Sequence, residues 1–371
     1  MGPSRLERAE IDPQVALLSR LRGLLRGAEW RERRPVTTLD TPAGRLPPLH
    51  DVRGIYAELR RRNLVDPLRA LQRPSTFRSL AAFGFDWACI LAAWALVLRA
   101  PLPLAVLTVP LAVLLIGARQ RALGNLLHEA GHKMLCVSRR LNDHLANLAV
   151  GLPTLSPVRC YRAKHLKHHA HLGVAESDPD FIHAEEDLQG TAWSLFARHV
   201  FDRGMFLSNL CGNWGSLVAQ ERVAAAVWWA LLLGALALAA GPAGALVFAG
   251  LWIVARMTVF HGITVFREIS DHVGLQPGSV LGFTRNSPQE PVLSFFLHPH
   301  ENNYHLTHHL APTVPFHRLR AAHKIFLQVP EYAAAHQCDR YFSGRRSVIA
   351  CWVRRCLRWH RAGTSGTGAG G

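Results

Sequence analysis

Two pairs of apolar segments constrain this chain more than anything else in it. Residues 80–98 and 102–118 are parted only by Arg99, Ala100 and Pro101, and residues 223–240 and 243–260 only by Gly241 and Pro242. Each segment approaches the ~20 residues that cross a bilayer. Buried soluble helices are the alternative, but two tight hairpins of this length suit hydrocarbon better. The expected fold is therefore all-α and integral to a membrane, with four transmembrane helices in two hairpins. Arg256 shortens the fourth apolar stretch and is expected to snorkel to the interface. Trp228, Trp229 and Trp252 are read as packing residues, with interface anchoring as the alternative.

Charge sets the orientation. The hairpin tips carry only Arg99, whereas the termini and residues 119–222 are basic, so positive-inside bias places these in the cytoplasm. A net charge of +16 also invites a nucleic-acid reading, but no nucleic-acid reading motif accompanies it. Attraction to anionic headgroups accounts for it better, and no nucleic-acid partner is expected. Cys89, Cys136, Cys160, Cys211, Cys338, Cys351 and Cys356 form no CxxC pair, which fits reduced cytosolic thiols. The opening MGPSRLERAEIDPQ has no apolar core and is read as lacking a cleaved signal peptide.

Four regions follow. Residues 1–77 are Arg-rich, with amphipathic stretches such as 15–25 read as helices on a membrane surface or on the cytosolic part. Residues 78–325 form the membrane domain, 326–360 a basic C-terminal cytosolic helix region, and 361–371 a Gly-rich disordered tail. No iron–sulfur, rubredoxin-like or dinucleotide-binding module is evident.

The chemistry lies in the histidines. Three groups stand out among 21: His128 and His132 in HEAGH, His165, His168 and His169 in KHLKHHAHLG, and His305, His308 and His309 in NYHLTHHLAP. On a helix, positions i, i+3 and i+4 share a face, so each HxxHH can offer three imidazoles to one centre. A lone histidine is usually a satisfied polar residue, but this clustering points to a shared metal site. Topology agrees, because one hairpin between the second and third groups returns the chain to the same side. From Arg119 to His128 a continued helix rises ~14 Å, which lifts the ligands into a cytosolic helical cap.

Imidazole suits iron, zinc and copper alike. HEAGH also matches the zinc-protease HExxH, but a zincin needs only one further ligand, and no second Asp-containing protease motif follows the fourth segment. Glu129 is then either a partner to the ligands or an ordinary helix residue. A membrane zinc metalloprotease stays a remote alternative, as does a non-enzymatic metal carrier.

The three boxes together resemble those of the membrane fatty-acid desaturase and hydroxylase superfamily. The likeness extends to Asp178-Pro179-Asp180 after the second box and to Pro312 after the third, and covers roughly residues 80–320. It implies a non-haem di-iron centre with O2 as co-substrate, held by His128, His132, His165, His168, His169, His305, His308 and His309. A further ligand between the last span and the third box is implied as well. His272, in a DHVGL similar to an element of alkane hydroxylases, is the expected one, with His261 the competitor. His171, His298 and His300 are expected to be structural or to support the ligands rather than to bind metal. Asp178 and Asp271 are candidates for orienting metal-bound imidazoles; no catalytic residue is assigned beyond the ligands. The implied activity is desaturation of an acyl chain on a lipid or thioester. Hydroxylation, or desaturation of a specialised small metabolite, is the alternative. The expected partners are the acyl substrate, the lipid membrane and an external ferredoxin-like donor, and the expected location is the bacterial inner membrane.

Overall fold

The computed structural model of the protein describes residues 50–182 and 190–353. The expected helical stretch 15–25 and the tail 361–371 lie outside the described residues. Those described are helical, with two isolated bridges in place of any strand. In chain order the helices used below are α1 (His50–Arg61), α2 (Val65–Ala70), α3 (Thr76–Arg99), α4 (Ala105–Gly131), α5 (Arg139–Ala146) and α6 (Val158–Ala170). They continue with α7 (Ala192–Val200), α8 (Arg203–Cys211), α9 (Ala219–Ala255), α10 (His261–His272), α11 (Val280–Phe283), α12 (Pro291–Leu297), α13 (His305–Leu310), α14 (Leu319–Phe326) and α15 (Pro330–Ala333).

Among the described residues three helices are long and apolar enough to cross a membrane: Thr76–Arg99, Leu102–Gly131 and Ala219–His272. The first starts where Ser75 accepts the amide of Arg78 at 3.4 Å, an N-cap that satisfies one orphan donor. The second begins just after Pro101, runs through Pro110 and continues beyond the expected residue 118 to Gly131, so the apolar helix itself carries the first histidine box.

The third and fourth expected segments are two arms of one helix, broken at Gly241 (φ 75°, ψ 166°) ahead of Pro242. A left-handed φ suits glycine, and proline cannot donate the next helical bond. On a straight helix at about 1.5 Å per residue, Trp229 and Trp252 would stand ~35 Å apart. Their rings lie 5.4 Å apart, so the arms fold back on each other. Trp87 of α3 stacks on Trp252 (5.6 Å, 9°) and meets Trp228 at 5.6 Å. These tryptophans pack the hairpins together, as the apolar reading of them requires.

That packing is the first of three cores, in which α3, α4 and both arms of α9 meet. It leaves Leu231, Leu238 and Leu246 facing outward, the second of them 92% exposed. Apolar surface of this kind needs hydrocarbon to cover it. A second core joins Ile55 and Leu59, one turn apart on α1, to α13, α14 and α15. A third gathers α7 and α10 around Tyr341 and Trp352.

Close helix packing sets the join between the membrane hairpins and the rest. The turn Arg256–Phe260 is π-helical, an insertion that often marks functional sites. It lies so close to α4 that a Cβ on Gly117 would fall 2.6 Å from Val259 Cβ. Arg256 corrects the expectation drawn from sequence. It does not reach the interface but is 94% buried, giving Nε to the Leu210 carbonyl at 2.9 Å and Nη2 to that of Thr154 at 3.2 Å. Free carbonyls near the end of α8 and in the turn at Thr154 supply acceptors that a reading of hydropathy does not see. Residues 326–353, expected to be a helical region, hold only α15 and a 3-10 turn at Ile349–Cys351. Pro330 and Gly344 (φ 93°) interrupt it, and burial of Tyr341 and Trp352 holds it instead.

Candidate metal centre

Four helices bring the histidines together. The last turn of α4 supplies His128, and His132 follows directly as its C-cap. Helix α6 supplies His165, His168 and His169, the end of α10 supplies His272, and α13 supplies His305, His308 and His309. The nine imidazoles divide into two groups, His128, His132, His165, His169 and His308 in one and His168, His272, His305 and His309 in the other. Within each group the donor nitrogens lie within 4.8 Å of one another.

The division splits each HxxHH between the two groups. At about 100° per residue, i+3 and i+4 point roughly 100° apart around the helix axis while i and i+4 differ by only about 40°. So His165 and His169 go one way and His168 the other. On α13 the pattern is reversed in destination: His305 and His309 join His168, and His308 crosses to the first group. The two HxxHH helices thus stitch both groups together, and His169 and His309 stack at 4.3 Å where they meet.

The nitrogens fit a metal. In the first group Nε2 of His165 lies 2.8 Å from that of His132 and 3.1 Å from that of His169, which is 3.1 Å from that of His308. In the second, His305 Nε2 lies 3.0 Å from Nε2 of both His272 and His309, and His168 Nε2 lies 3.4 Å from His309 Nε2. Two imidazoles bound at ~2.0–2.1 Å to one ion at right angles would place their nitrogens about 3 Å apart. Partners fix the tautomers of two of them. Nδ1–H of His168 donates to Asp178 Oδ1 at 2.8 Å and Nδ1–H of His272 to the Phe283 carbonyl at 2.8 Å, leaving each Nε2 bare. Neither ring nitrogen of His128 makes a hydrogen bond; Nδ1 faces Glu129 Oε1 at 3.4 Å, and a buried bare Nε2 is costly unless a cation takes it. Bare lone pairs at these distances repel unless positive charge lies between them.

Electrostatics keep most of the ligands neutral. Burial, and then repulsion among the imidazoles, hold His165, His169, His305, His308 and His309 well below the ordinary histidine range. Burial, followed by the charge of Arg162, lowers His132 to about 4. His168 differs: burial pulls it down, but the hydrogen bond to Asp178 and the charge of Asp180 outweigh this and raise it. Neutral imidazole is the form that ligates.

The other candidates have separate roles. Asp178 is fixed by the amides of Gly173 and Asp180, each at 2.9 Å, so it can hold His168 in place. Asp271 lies 3.7 Å from His305 Nδ1, beyond hydrogen-bond reach, and closer to Arg267 at 3.3 Å. Glu129 accepts the amide of Phe316 at 2.8 Å, which ties the chain after the third box to the first. His261 is outside both groups; its Nε2–H donates to the Val200 carbonyl and its Nδ1 accepts from Asn209, both at 2.9 Å. His298 bonds Tyr341 at 3.0 Å, His300 bonds Asp86 at 2.8 Å, and His171 is exposed at the end of α6. Replacing Asp178 by Ala should lower metal affinity about 10–100-fold. Titrating metal back into the stripped variant measures this, and unchanged affinity would show Asp178 to be dispensable for orienting His168.

Sequence reasoning missed the cavity beside the second group. It has a volume of about 170 Å3, touches His165, His168, His272 and His305, and is also lined by Arg121, Lys164, Arg256, Arg267, Glu268 and Asp180. The signal available was a set of charges at the ends of apolar segments, in RQRALG and REISDH.

Residues 104–341 match the family model described as fatty acid desaturase. Over 246 residues the chain is 30% identical to dihydrorhizobitoxine desaturase of Bradyrhizobium elkanii, an alignment covering 60% of this chain and 68% of that protein.

Proposed function

The chain belongs to the fatty acid desaturase family, and we propose that it is an O2-dependent desaturase with one iron in each histidine group. The single observation that carries this is the division of nine imidazoles into two adjacent nests of nitrogens. His128, His132, His165, His169 and His308 would hold one ion, and His168, His272, His305 and His309 the other. Bound iron would supply, with O2, the oxidising power to remove hydrogen from an unactivated C–H bond. In the net reaction a substrate loses two hydrogens from neighbouring carbons and gains a double bond. O2 takes these with two protons and two electrons from a donor, and leaves as two waters.

The protein's own residues position that chemistry. Asp178 and the Phe283 carbonyl keep the protons of His168 and His272 on Nδ1, so both present Nε2 inward. The apolar hairpins would cross a bacterial inner membrane four times, with the termini and the metal centre on the cytoplasmic side. The basic surface favours an acidic, ferredoxin-like electron donor.

The family's name makes an acyl chain the first substrate to consider. Desaturation of a small metabolite is the second reading, favoured by the charged side chains that line the cavity; the relative is named for dihydrorhizobitoxine, not for a fatty acid. The test is expression in a bacterium with a compatible ferredoxin system, comparing lipids and soluble metabolites by mass spectrometry against His168→Ala. A product two mass units lighter is expected in the active strain alone. A product sixteen units heavier, with no lighter one, would make the protein a hydroxylase.

A further inference from the structure

The cavity beside the second histidine group carries more positive charge than its own carboxylates neutralise. Arg121, Lys164, Arg256 and Arg267 line it, against Asp180 and Glu268. Both carboxylates are engaged, Asp180 with Lys164 at 2.8 Å and Glu268 with Arg267 at 3.3 Å, and Asp271 also lies 3.3 Å from Arg267. Among the described residues no carboxylate pairs with Arg121 or Arg256, although they are 93% and 94% buried. A buried charge without a counter-charge is unfavourable; the Phe260 ring, 4.7 Å from Arg256 Cζ, meets part of this demand, and the rest falls on what the cavity holds.

Each guanidinium has donors to spare. Arg121 spends Nε and Nη2 on Asn125 Oδ1, at 3.2 and 2.6 Å, which leaves Nη1 over. Its neighbour Gly124 carries no side chain to cover that atom; even a Cβ there would stand 3.5 Å away. Arg256 gives Nε and Nη2 to backbone carbonyls, and its Nη1 is buried without a partner. Thr154, Ser208, Asn209 and Thr264 add polar groups to the remaining wall, and Leu127, Phe260 and Tyr161 add apolar surface to it. At about 170 Å3 the cavity is smaller than the roughly 300–1,000 Å3 of pockets for drug-sized ligands. A long acyl chain needs the opposite, an extended and apolar channel.

We propose that Arg121 and Arg256 anchor the carboxylate of a small polar substrate, whose reacting carbons lie toward His168, His272 and His305. This rests on the desaturase reading and names the substrate class for the same site. The Nη1 left over on each guanidinium can give a carboxylate one charge-assisted hydrogen bond.

The test uses the purified full-length, metal-loaded protein in detergent and reads its thermal midpoint with pentanoate, pentanamide, inorganic phosphate or stearate. Pentanoate should raise the midpoint while pentanamide, which has the same shape without the charge, should not. Arg121→Gln, which breaks no backbone contact, should keep its metal yet weaken the pentanoate response at least tenfold, with Arg121→Lys partly restoring it. Equal shifts from pentanoate and pentanamide, or an unaltered response in Arg121→Gln, would overturn the proposal. So would an equal response to phosphate, or one larger with stearate. The expression assay separates this from the parent reading. A lighter product confined to the lipid extract and unaffected by Arg121→Gln would overturn the small-acid assignment and leave desaturation standing. No lighter product in either fraction would overturn both.

Discussion

His308→Ala should deplete the same metal position as His169→Ala, although His308 sits in the third box and His169 in the second. His305→Ala and His309→Ala should instead resemble His168→Ala. The grouping follows from the division of the imidazoles, with His308 facing His169 at 3.1 Å and His305 facing His272 at 3.0 Å. Losing a ligand should cost more than the 10–100-fold in affinity attached to a supporting partner, and activity should fall to that of the inactive control. Mössbauer spectra of the variants loaded with enriched iron would show which component is depleted. If His308→Ala behaved like His305→Ala, each box would serve one centre and the pairing would be wrong.

The second large effect concerns stability. Asp86 on α3 and Arg119 on α4 form a fully buried ion pair at 3.1 Å, and His300 bonds the other carboxylate oxygen at 2.8 Å. Arg119 also donates to the Phe295 carbonyl and lies over the Phe295 ring, 3.8 Å from its centroid. This network ties the first hairpin to the segment leading into α13. Replacing one member leaves a buried charge unpaired, which costs about 3–5 kcal/mol. Asp86→Asn should therefore lower the thermal midpoint sharply. The double variant Asp86→Leu with Arg119→Met should recover most of it, since an apolar pair of similar volume is often no worse. A single variant as stable as the wild type would show that the pair contributes little.

Much of this was readable in the sequence, for identifiable reasons. Apolar length marks the hairpins, and Gly241 with Pro242 marks a break that no straight helix passes. Spacing marked the eight box histidines, because clustering at helical intervals survives folding. Spacing did not reveal which ion each serves, since i+3 and i+4 look equivalent until a second helix docks from the other side. The partner of His272 is the Phe283 carbonyl, supplied by a segment whose approach no local pattern encodes. Arg256 is the same case: hydropathy expects a cation to seek water, whereas here folding brings two carbonyls to it. Arg121 was passed over because one arginine near the end of an apolar helix looks like an interface residue. Only burial without a carboxylate sets it apart.

The central claim is a two-metal centre of iron. Elemental analysis and Mössbauer spectroscopy of wild-type protein from iron-replete cells test it most directly. One iron for each histidine group in every chain is expected, with little zinc. One stoichiometric zinc and no iron would contradict it and return HEAGH to the protease reading.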